Sequence, residues 1–431
     1  MTSPIPMHAV RKQAELCLGL LCDLELAVAR GQPLDQQLSQ YYRRHREFGS
    51  RDRRFFSALA FAWFRWRGWL PTMPSQPDAL NYVLAWLLDA PERHPAIEWL
   101  ASQLPPFLIS PHPLGNMPVK EKARIMGQWL QRPPPELDAL VPAWFADALF
   151  YPSGADRTAH QHCCLQALQV RPPTWLRIRT GHERAMLEFL QHQNMPATPH
   201  PRRLQAVSLP GGHNLENLKT MADVEIQDLA SQGVGLVCAP GAGESWWDAC
   251  AGSGGKSFHL ADLMQATGSI MATDTRPGIL KECRRRLIRT RLHTITLRNW
   301  NGTAATAPDR LFNGVLVDAP CSGLGTWHRN PDARWRIAPD AVPRYTALQS
   351  ELLKICADRV HSGGRLVYAV CTLTGAETVG VIESFLAGRR DFSLESTPHP
   401  LTGEATVGLI WIWPWEGNCN GMFIARMKKN G

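Results

Sequence analysis

Apolar residues recur at helical spacing through the first hundred positions, as in Leu16, Leu20, Leu24 and Val28 and again in Phe55, Leu59, Trp63 and Trp66. The pattern predicts a helical domain from about Ala9 to Leu100. Pro and Gly clusters from Leu104 to Gly115 and at Pro133-Pro134-Pro135 predict its ragged end and a linker. A short segment follows in which a strand, Thr174 to Arg179, leads into a helix, Glu183 to Gln193. From Ser245 onward the pattern changes. Apolar, β-branched runs at Trp246–Ala251, Ser269–Thr273, Thr294–Arg298, Gly314–Asp318, Arg365–Val370 and Leu409–Trp413 alternate with helical stretches such as Lys281–Arg291 and Ala347–Val360. That alternation predicts an α/β domain with a doubly wound, mostly parallel sheet whose ligands sit at the carboxyl ends of the strands. Neither internal repeats nor low-complexity tracts interrupt it.

At 431 residues the chain is long enough for two or three domains, and 44% hydrophobic with 19% charged residues describes globular cores. The formal charge of +8 suits an anionic partner, nucleic acid first. Arginines crowd Lys281–Arg291 and Arg43–Arg54, where a phosphate backbone would suit them; a solvated helix face is the rival reading. The 16 Trp are expected mainly in cores. Eleven cysteines, odd in number and without a C-x-x-C pair, argue against a disulfide framework and a zinc site and fit a reducing cytosol. The N-terminus lacks the apolar core of a signal peptide, and no stretch is long enough to span a bilayer. The expectation is therefore a soluble, cytoplasmic monomer that needs no metal and no membrane.

The candidate chemistry lies at the predicted strand ends. Cys250, Ala251, Gly252, Ser253, Gly254, Gly255 and Lys256 form a Gly-rich turn between the first strand and first helix of the alternating region, where backbone amides can approach a ligand. A P-loop would need Gly where Cys250 stands, and no G-x-G-x-x-G fingerprint is present. Asp274, closing the next strand, can accept bonds from both hydroxyls of a ribose, although a single Asp there is more often a cap or turn residue. Asn301, after the third strand, can donate to and accept from an adenine. Two cysteines emerge where later strands end: Cys321 in Asp318-Ala-Pro-Cys321-Ser-Gly-Leu-Gly325, and Cys371 in Tyr368-Ala-Val-Cys371-Thr372. A lone Cys usually packs as a small hydrophobe; the residues around these two argue for chemistry.

These motifs, with Arg329-Asn-Pro-Asp-Ala-Arg-Trp335, Glu377, Ile226-Gln-Asp-Leu-Ala-Ser-Gln232 and the closing Gly421-Met-Phe-Ile-Ala-Arg426, resemble the Sun-type, RsmB-like RNA 5-methylcytosine methyltransferases of the bacterial ribosomal RNA type. The resemblance implies a Rossmann-like class I methyltransferase domain at 223–431, binding S-adenosylmethionine through Cys250–Lys256, Asp274, Asn301 and Asp318. It also implies an all-α NusB-like RNA-binding domain at 1–135, to which Gly49-Ser-Arg-Asp-Arg-Arg-Phe55 is similar, and a small α+β segment with linker at 136–222. Ser253 stands where the family usually has Pro, Asn301 where Asp is usual, Val370 where Thr is common and His328 where Arg is usual; Thr378 and Val379 interrupt an acidic run after Glu377. None of these removes a thiol or Asp318.

Carbon 5 of cytosine is too weak a nucleophile to take a methyl group unaided, and a thiolate added at carbon 6 makes it enamine-like. A carboxyl group at ring nitrogen 3 and the exocyclic amine would stabilise the charge of the adduct, and Asp318 is the candidate. A base must then remove the hydrogen from carbon 5. The chemistry alone does not rank the thiols. The resemblance implies that Cys371 attacks and Cys321 assists release. The expected substrate is small-subunit ribosomal RNA; the alternatives are the same chemistry on transfer RNA, or a catalytically weak RNA-binding factor in ribosome assembly, against which the intact Cys321, Cys371, Asp318 and Lys256 argue.

Overall fold

The computed structural model describes residues 6–71, 79–105, 112–211 and 213–431, so the first five residues and residues 106–111 of the expected linker lie outside the described residues. The chain divides into two compact units. One contains Met1–Asp147, Gly154–Val170 and Trp327–Pro339, the other Ala148–Ser153, Arg171–Thr326 and Asp340–Gly431.

The first unit is helical. Helices Met7–Ala29 and Leu34–Arg44 bury one stripe each, with Leu20, Leu24 and Val28 in the first, and Ser50–Trp66 buries Phe55, Leu59 and all of its last turn from Ala62 to Trp66. The helix Ala79–Asp89 is buried over Asn81–Asp89 and so lies at the centre of this unit. Its Asp89 carboxylate accepts from Arg65 Nε at 2.8 Å and Trp66 Nε1 at 3.1 Å, so the buried charges are matched. Helices Pro95–Ser102, Val119–Trp129 and Arg157–Ala167 complete it. Two features depart from the expected boundaries at 135 and 223. Helical packing runs on to Val170, and Trp327–Pro339 belongs to this unit although its neighbours in sequence do not. The guanidinium of fully buried Arg334 donates to the carbonyls of Leu140 (2.9 Å), Leu168 (3.2 Å) and Trp327 (3.3 Å) and to Gln169 Oε1 (3.3 Å). Trp335 Nε1 donates to the carbonyl of Phe64 at 2.7 Å.

The second unit opens with a small antiparallel sheet of β1 (Thr174–Ile178), β2 (Thr198–His200), β3 (Arg203–Leu209) and β4 (Val224–Ile226), in the order β2-β3-β1-β4. The expected strand and the helix Glu183–His192 fall in it. The main sheet follows. Its parallel part is β5 (Ser245–Asp248), β6 (Ser269–Asp274), β7 (Ile295–Asn299), β8 (Phe312–Asp318) and β9 (Val360–Val370), in the spatial order β9-β8-β5-β6-β7. β10 (Phe392–Leu394), a short pair formed by β11 (Thr397–Pro398) and β12 (Ala405–Thr406), β13 (Leu409–Ile412) and β14 (Met422–Lys429) follow in the chain. β14 runs antiparallel to β9, and β10 and β13 antiparallel to β14. The run Leu409–Trp413 is thus a strand outside the parallel set, because an apolar run does not encode its direction.

Adjacent residues on these strands enter opposite cores. Trp246, Leu316, Val367 and Ala369 pack on one side and Trp247, Val315, Val317, Leu366 and Tyr368 on the other, which is why the strands read as continuous apolar runs. Gly314 is required by this packing, since a Cβ there would lie 2.3 Å from the Trp246 ring. Among the described residues no helix is long and apolar enough to cross a membrane.

Candidate active site

Because the strands are parallel and in register, their carboxyl ends form one rim. Asp274 pairs with Asn299 and Asp318 with Ala369, so the turns after β5, β6, β7, β8 and β9 converge there. A cavity of about 640 Å³ opens at this rim, large enough for a nucleoside carrying an amino-acid side arm. Cys250, Ala251, Gly252, Ser253, Gly255, Lys256, Asp274, Asn301 and Asp318 all line it. Gly254 does not. It caps the helix Gly255–Leu263 at φ +89°, and a Cβ there would meet Cys283 Sγ at 2.5 Å, so its work is to let the turn close.

Further lining residues carried no assignment from sequence: Gln227, Asp228, Ser231, Arg286, Trp300 and Asn420. The first three lie in the Ile226–Gln232 motif, whose pattern marked a resemblance but no role. Arg286 lies in the basic run Lys281–Arg291, within the helix Pro277–Thr290, and part of that run is structural. Arg286 donates to Glu225 Oε2 (2.6 Å) and to Ser253 O and Oγ (both 2.8 Å), Arg289 also bonds Glu225, and Lys281, Arg284 and Arg285 are exposed.

The polar groups of the cavity are held differently. Asp274 accepts from Gly252 N–H at 3.0 Å and, through both oxygens, from the Arg276 guanidinium at 3.0 Å. Burial works against its charge, but the bonds from Arg276 outweigh it and lower the pKa. Asn301 Oδ1 accepts from Thr303 N–H (3.1 Å), Thr303 Oγ1 (2.7 Å) and Thr306 Oγ1. Its acceptor is therefore committed to its own turn, and what it can offer a base is the amide N–H₂ rather than the donor and acceptor pair expected. Below the Gly-rich turn, fully buried Asp248 accepts from Ser257 Oγ at 2.6 Å while Oδ1 has no partner, and burial pushes its carboxyl up to about 7.

Beyond the cavity stand the two thiols. Cys321 Sγ and Cys371 Sγ are 3.5 Å apart, and they come from opposite faces of the sheet, Cys371 packing on the core of Trp246 and Cys321 on that of Trp247. Gly325 N–H donates to the Cys371 carbonyl at 3.1 Å, and Gly325 lies so close to Gly421 that a Cβ would sit 2.1 Å from its oxygen. Lys256 Nζ donates to Asp318 Oδ2 at 2.6 Å. Burial disfavours the ammonium, yet the Asp318 carboxylate beside it raises the Lys256 pKa above its ordinary value. The hydrogen bond between the two thiols lowers the Cys371 thiol against the cost of burial, helped by the Lys256 charge. The same bond, with burial, raises Cys321 well above the ordinary thiol range. Of the two, Cys371 is thus the more readily ionised and Cys321 the one that keeps its proton more firmly.

The family model described as "16S rRNA methyltransferase RsmB/F" matches residues 236–428. Over those residues the chain is similar to that family. A relative from Synechocystis sp. described as "Probable ribosomal RNA small subunit methyltransferase B" is 38% identical over 212 residues, 47% of this chain and 47% of that protein. The "Ribosomal RNA small subunit methyltransferase B" of Serratia proteamaculans is 31% identical over 262 residues, 56% of this chain and 59% of that one. The chain thus spans about half the length of the curated relatives it matches. The crystal structure of NSun6 from Pyrococcus horikoshii with SFG is similar at a TM-score of 0.58 and 15% identity, over 67% of this chain and 98% of that one, a likeness of fold.

Proposed function

We propose that this protein transfers a methyl group from S-adenosylmethionine to carbon 5 of a cytosine in small-subunit ribosomal RNA, through a covalent bond from Cys371 to the base. The observation that carries the reading is the pair of thiols in contact, the Cys371 thiol lowered and that of Cys321 raised, beside the Lys256–Asp318 ion pair at the edge of a nucleoside-sized cavity. The names of the relatives support ribosomal RNA as the substrate class, and the NSun6 structure with SFG, an analogue of S-adenosylmethionine, supports the cofactor.

The cavity fits that cofactor chemically. Asp274 offers a carboxylate for ribose hydroxyls once Arg276, which is largely exposed, moves aside. The backbone of the turn at Ala251–Ser253 would face the amino-acid arm, the Asn301 amide would donate to the base, and Trp300 contributes an apolar wall. When bound, the cofactor supplies an electrophilic methyl group.

The chain's own residues do the rest. The Cys371 thiolate adds to carbon 6 of cytosine, forming the C–S bond as the electron pair of the 5,6 double bond moves toward the ring nitrogen 3 and carbon 5. The proton held between Lys256 and Asp318 stabilises the charge developing at nitrogen 3. Carbon 5 then takes the methyl group. The high pKa of Cys321 is caused first by its bond to Cys371 and next by burial, so once Cys371 is engaged at carbon 6 the larger cause is gone and the Cys321 proton is lost to water more readily than before. As a thiolate it takes the hydrogen from carbon 5, the double bond re-forms, and Cys371 leaves.

Bisulfite mapping of small-subunit ribosomal RNA from cells with and without this protein tests the substrate. The reading expects one or more cytosines protected only when the protein is present. An identical protection pattern in both would overturn it, and protection confined to transfer RNA would move the same chemistry to that substrate.

A further inference from the structure

Glu377 lies in none of the lining of the cofactor cavity, yet it is a fully buried carboxylate in contact with both thiol-bearing loops. Its Oε1 accepts from Ser322 N–H at 2.8 Å and Gln349 Nε2 at 3.1 Å. Its Oε2 accepts from Ser322 Oγ, from Thr374 Oγ1 at 2.9 Å and from Thr372 Oγ1 at 3.3 Å. All five donors are neutral. Ser322 is the residue after Cys321 and Thr372 the residue after Cys371, and their hydroxyls also meet each other at 2.7 Å. Gln349 donates as well to the carbonyl of Pro320, the residue before Cys321, at 2.8 Å. The backbone of Glu377 is fixed in turn, its carbonyl accepting from Tyr368 OH on β9 at 2.7 Å.

A buried carboxylate without a cation is costly unless its lone pairs are filled, and here three of the five bonds come from Ser322 and Thr372, the residues next to the two sulfurs. We propose that Glu377 is a positioning residue that sets the separation of Cys321 and Cys371 and thereby makes proton exchange between them possible. The inference rests on the covalent reading of the two thiols. Glu377 touches no reacting atom. It ties the turn after β8 to the turn after β9, reinforcing the Gly325 to Cys371 backbone bond between two strands whose thiols face opposite cores. The role asked of the side chain is geometric, and this gives it a signature. In Glu377→Gln the amide keeps the shape, because Ser and Thr hydroxyls can turn to accept instead of donate. In Glu377→Ala all five donors are left without their acceptor.

The test measures thiol proximity directly and without RNA. An azodicarboxamide oxidant takes the two thiol hydrogens as a Cys321–Cys371 disulfide forms, and peptide mass spectrometry follows the rate. The expected outcome is cross-linking within about threefold of wild type in Glu377→Gln and slower by about tenfold or more in Glu377→Ala. In steady state, kcat should fall by about 100-fold in Glu377→Ala, with the KM for cofactor changed by less than about twofold, and recover to within about tenfold in Glu377→Gln. Equal losses in the two variants would assign Glu377 a charge role and overturn the proposal, as would a Glu377→Ala protein that cross-links and turns over like wild type. If Glu377→Ala does not fold, Ser322→Ala with Thr372→Val removes the hydroxyl bonds from both thiol-bearing turns and leaves only the Ser322 N–H, Gln349 and Thr374 on the carboxylate, and wild-type cross-linking in that variant would overturn it. Full turnover by Cys371→Ala would defeat the covalent reading alone, while the cross-linking rates would still judge Glu377.

Discussion

Asp274 and Asn301 stand at or just beyond the ends of neighbouring strands, and their side chains are committed differently, Asp274 to the exposed Arg276 guanidinium and Asn301 to its own turn. Asp274→Ala should weaken binding of S-adenosylmethionine by about tenfold or more, whereas Asn301→Ala, whose carbonyl is already spent on Thr303 and Thr306, should cost less than about threefold, as calorimetry can establish. Asp248 makes a prediction of a different kind. Its carboxyl titrates near 7 in the fold and near 4 in an unfolded chain, so the folded state holds the extra proton. That contribution is complete below about pH 4 and is lost as the pH rises to about 7, by at most roughly 4 kcal/mol. Asp248→Asn should therefore flatten the fall of Tm across that interval and raise Tm above it; an unchanged pH profile would count against the burial argument. Much of this site was legible as residue types, because glycines, a strand-end Asp and two Pro-Cys or Val-Cys turns are chemically distinctive. The bonding was not legible. Nothing in the sequence says that Arg276 covers Asp274, that Asn301 serves its own turn, or that Glu377 lies between Ser322 and Thr372, since each depends on which loops meet in space.

At the scale of elements, strands were readable because both sheet faces are buried and the runs are continuously apolar. Their ends were less so. β9 begins at Val360 rather than Arg365, since His361-Ser-Gly-Gly precedes the apolar run, and Val360 pairs with Phe312 of β8. The segment Trp327–Pro339 was unreadable as part of the helical unit, because its place is set by residues far away in sequence. Arg334→Ala should destabilise that unit by roughly 3 to 5 kcal/mol, leaving buried carbonyls of Leu140 and Leu168 without their donor, and a lowered urea midpoint would show it. The arginines at Arg43–Arg54 divide likewise. Arg53 bonds the Phe48 carbonyl, but Arg43, Arg44, Arg46, Arg51 and Arg54 are exposed. Changing Arg43, Arg44, Arg46 and Arg54 to Glu should weaken RNA binding and reduce its logarithmic salt slope by roughly 0.7 to 0.9 for each phosphate no longer neutralised, with cofactor binding intact. Unchanged RNA affinity at matched salt would place the RNA elsewhere.

For the whole molecule, the net charge of +8 favours anionic partners over cationic ones. The covalent role of the thiols is the claim on which the rest depends, and trapping with RNA and S-adenosylmethionine, read on a denaturing gel, tests it most directly. Cys321→Ala keeps the attacking thiol and loses the base, so it should methylate once and accumulate a protein–RNA species that survives denaturation. Cys371→Ala should neither methylate nor trap. Trapping by Cys371→Ala with none by Cys321→Ala would exchange the roles, and full turnover in both variants would contradict covalent catalysis altogether.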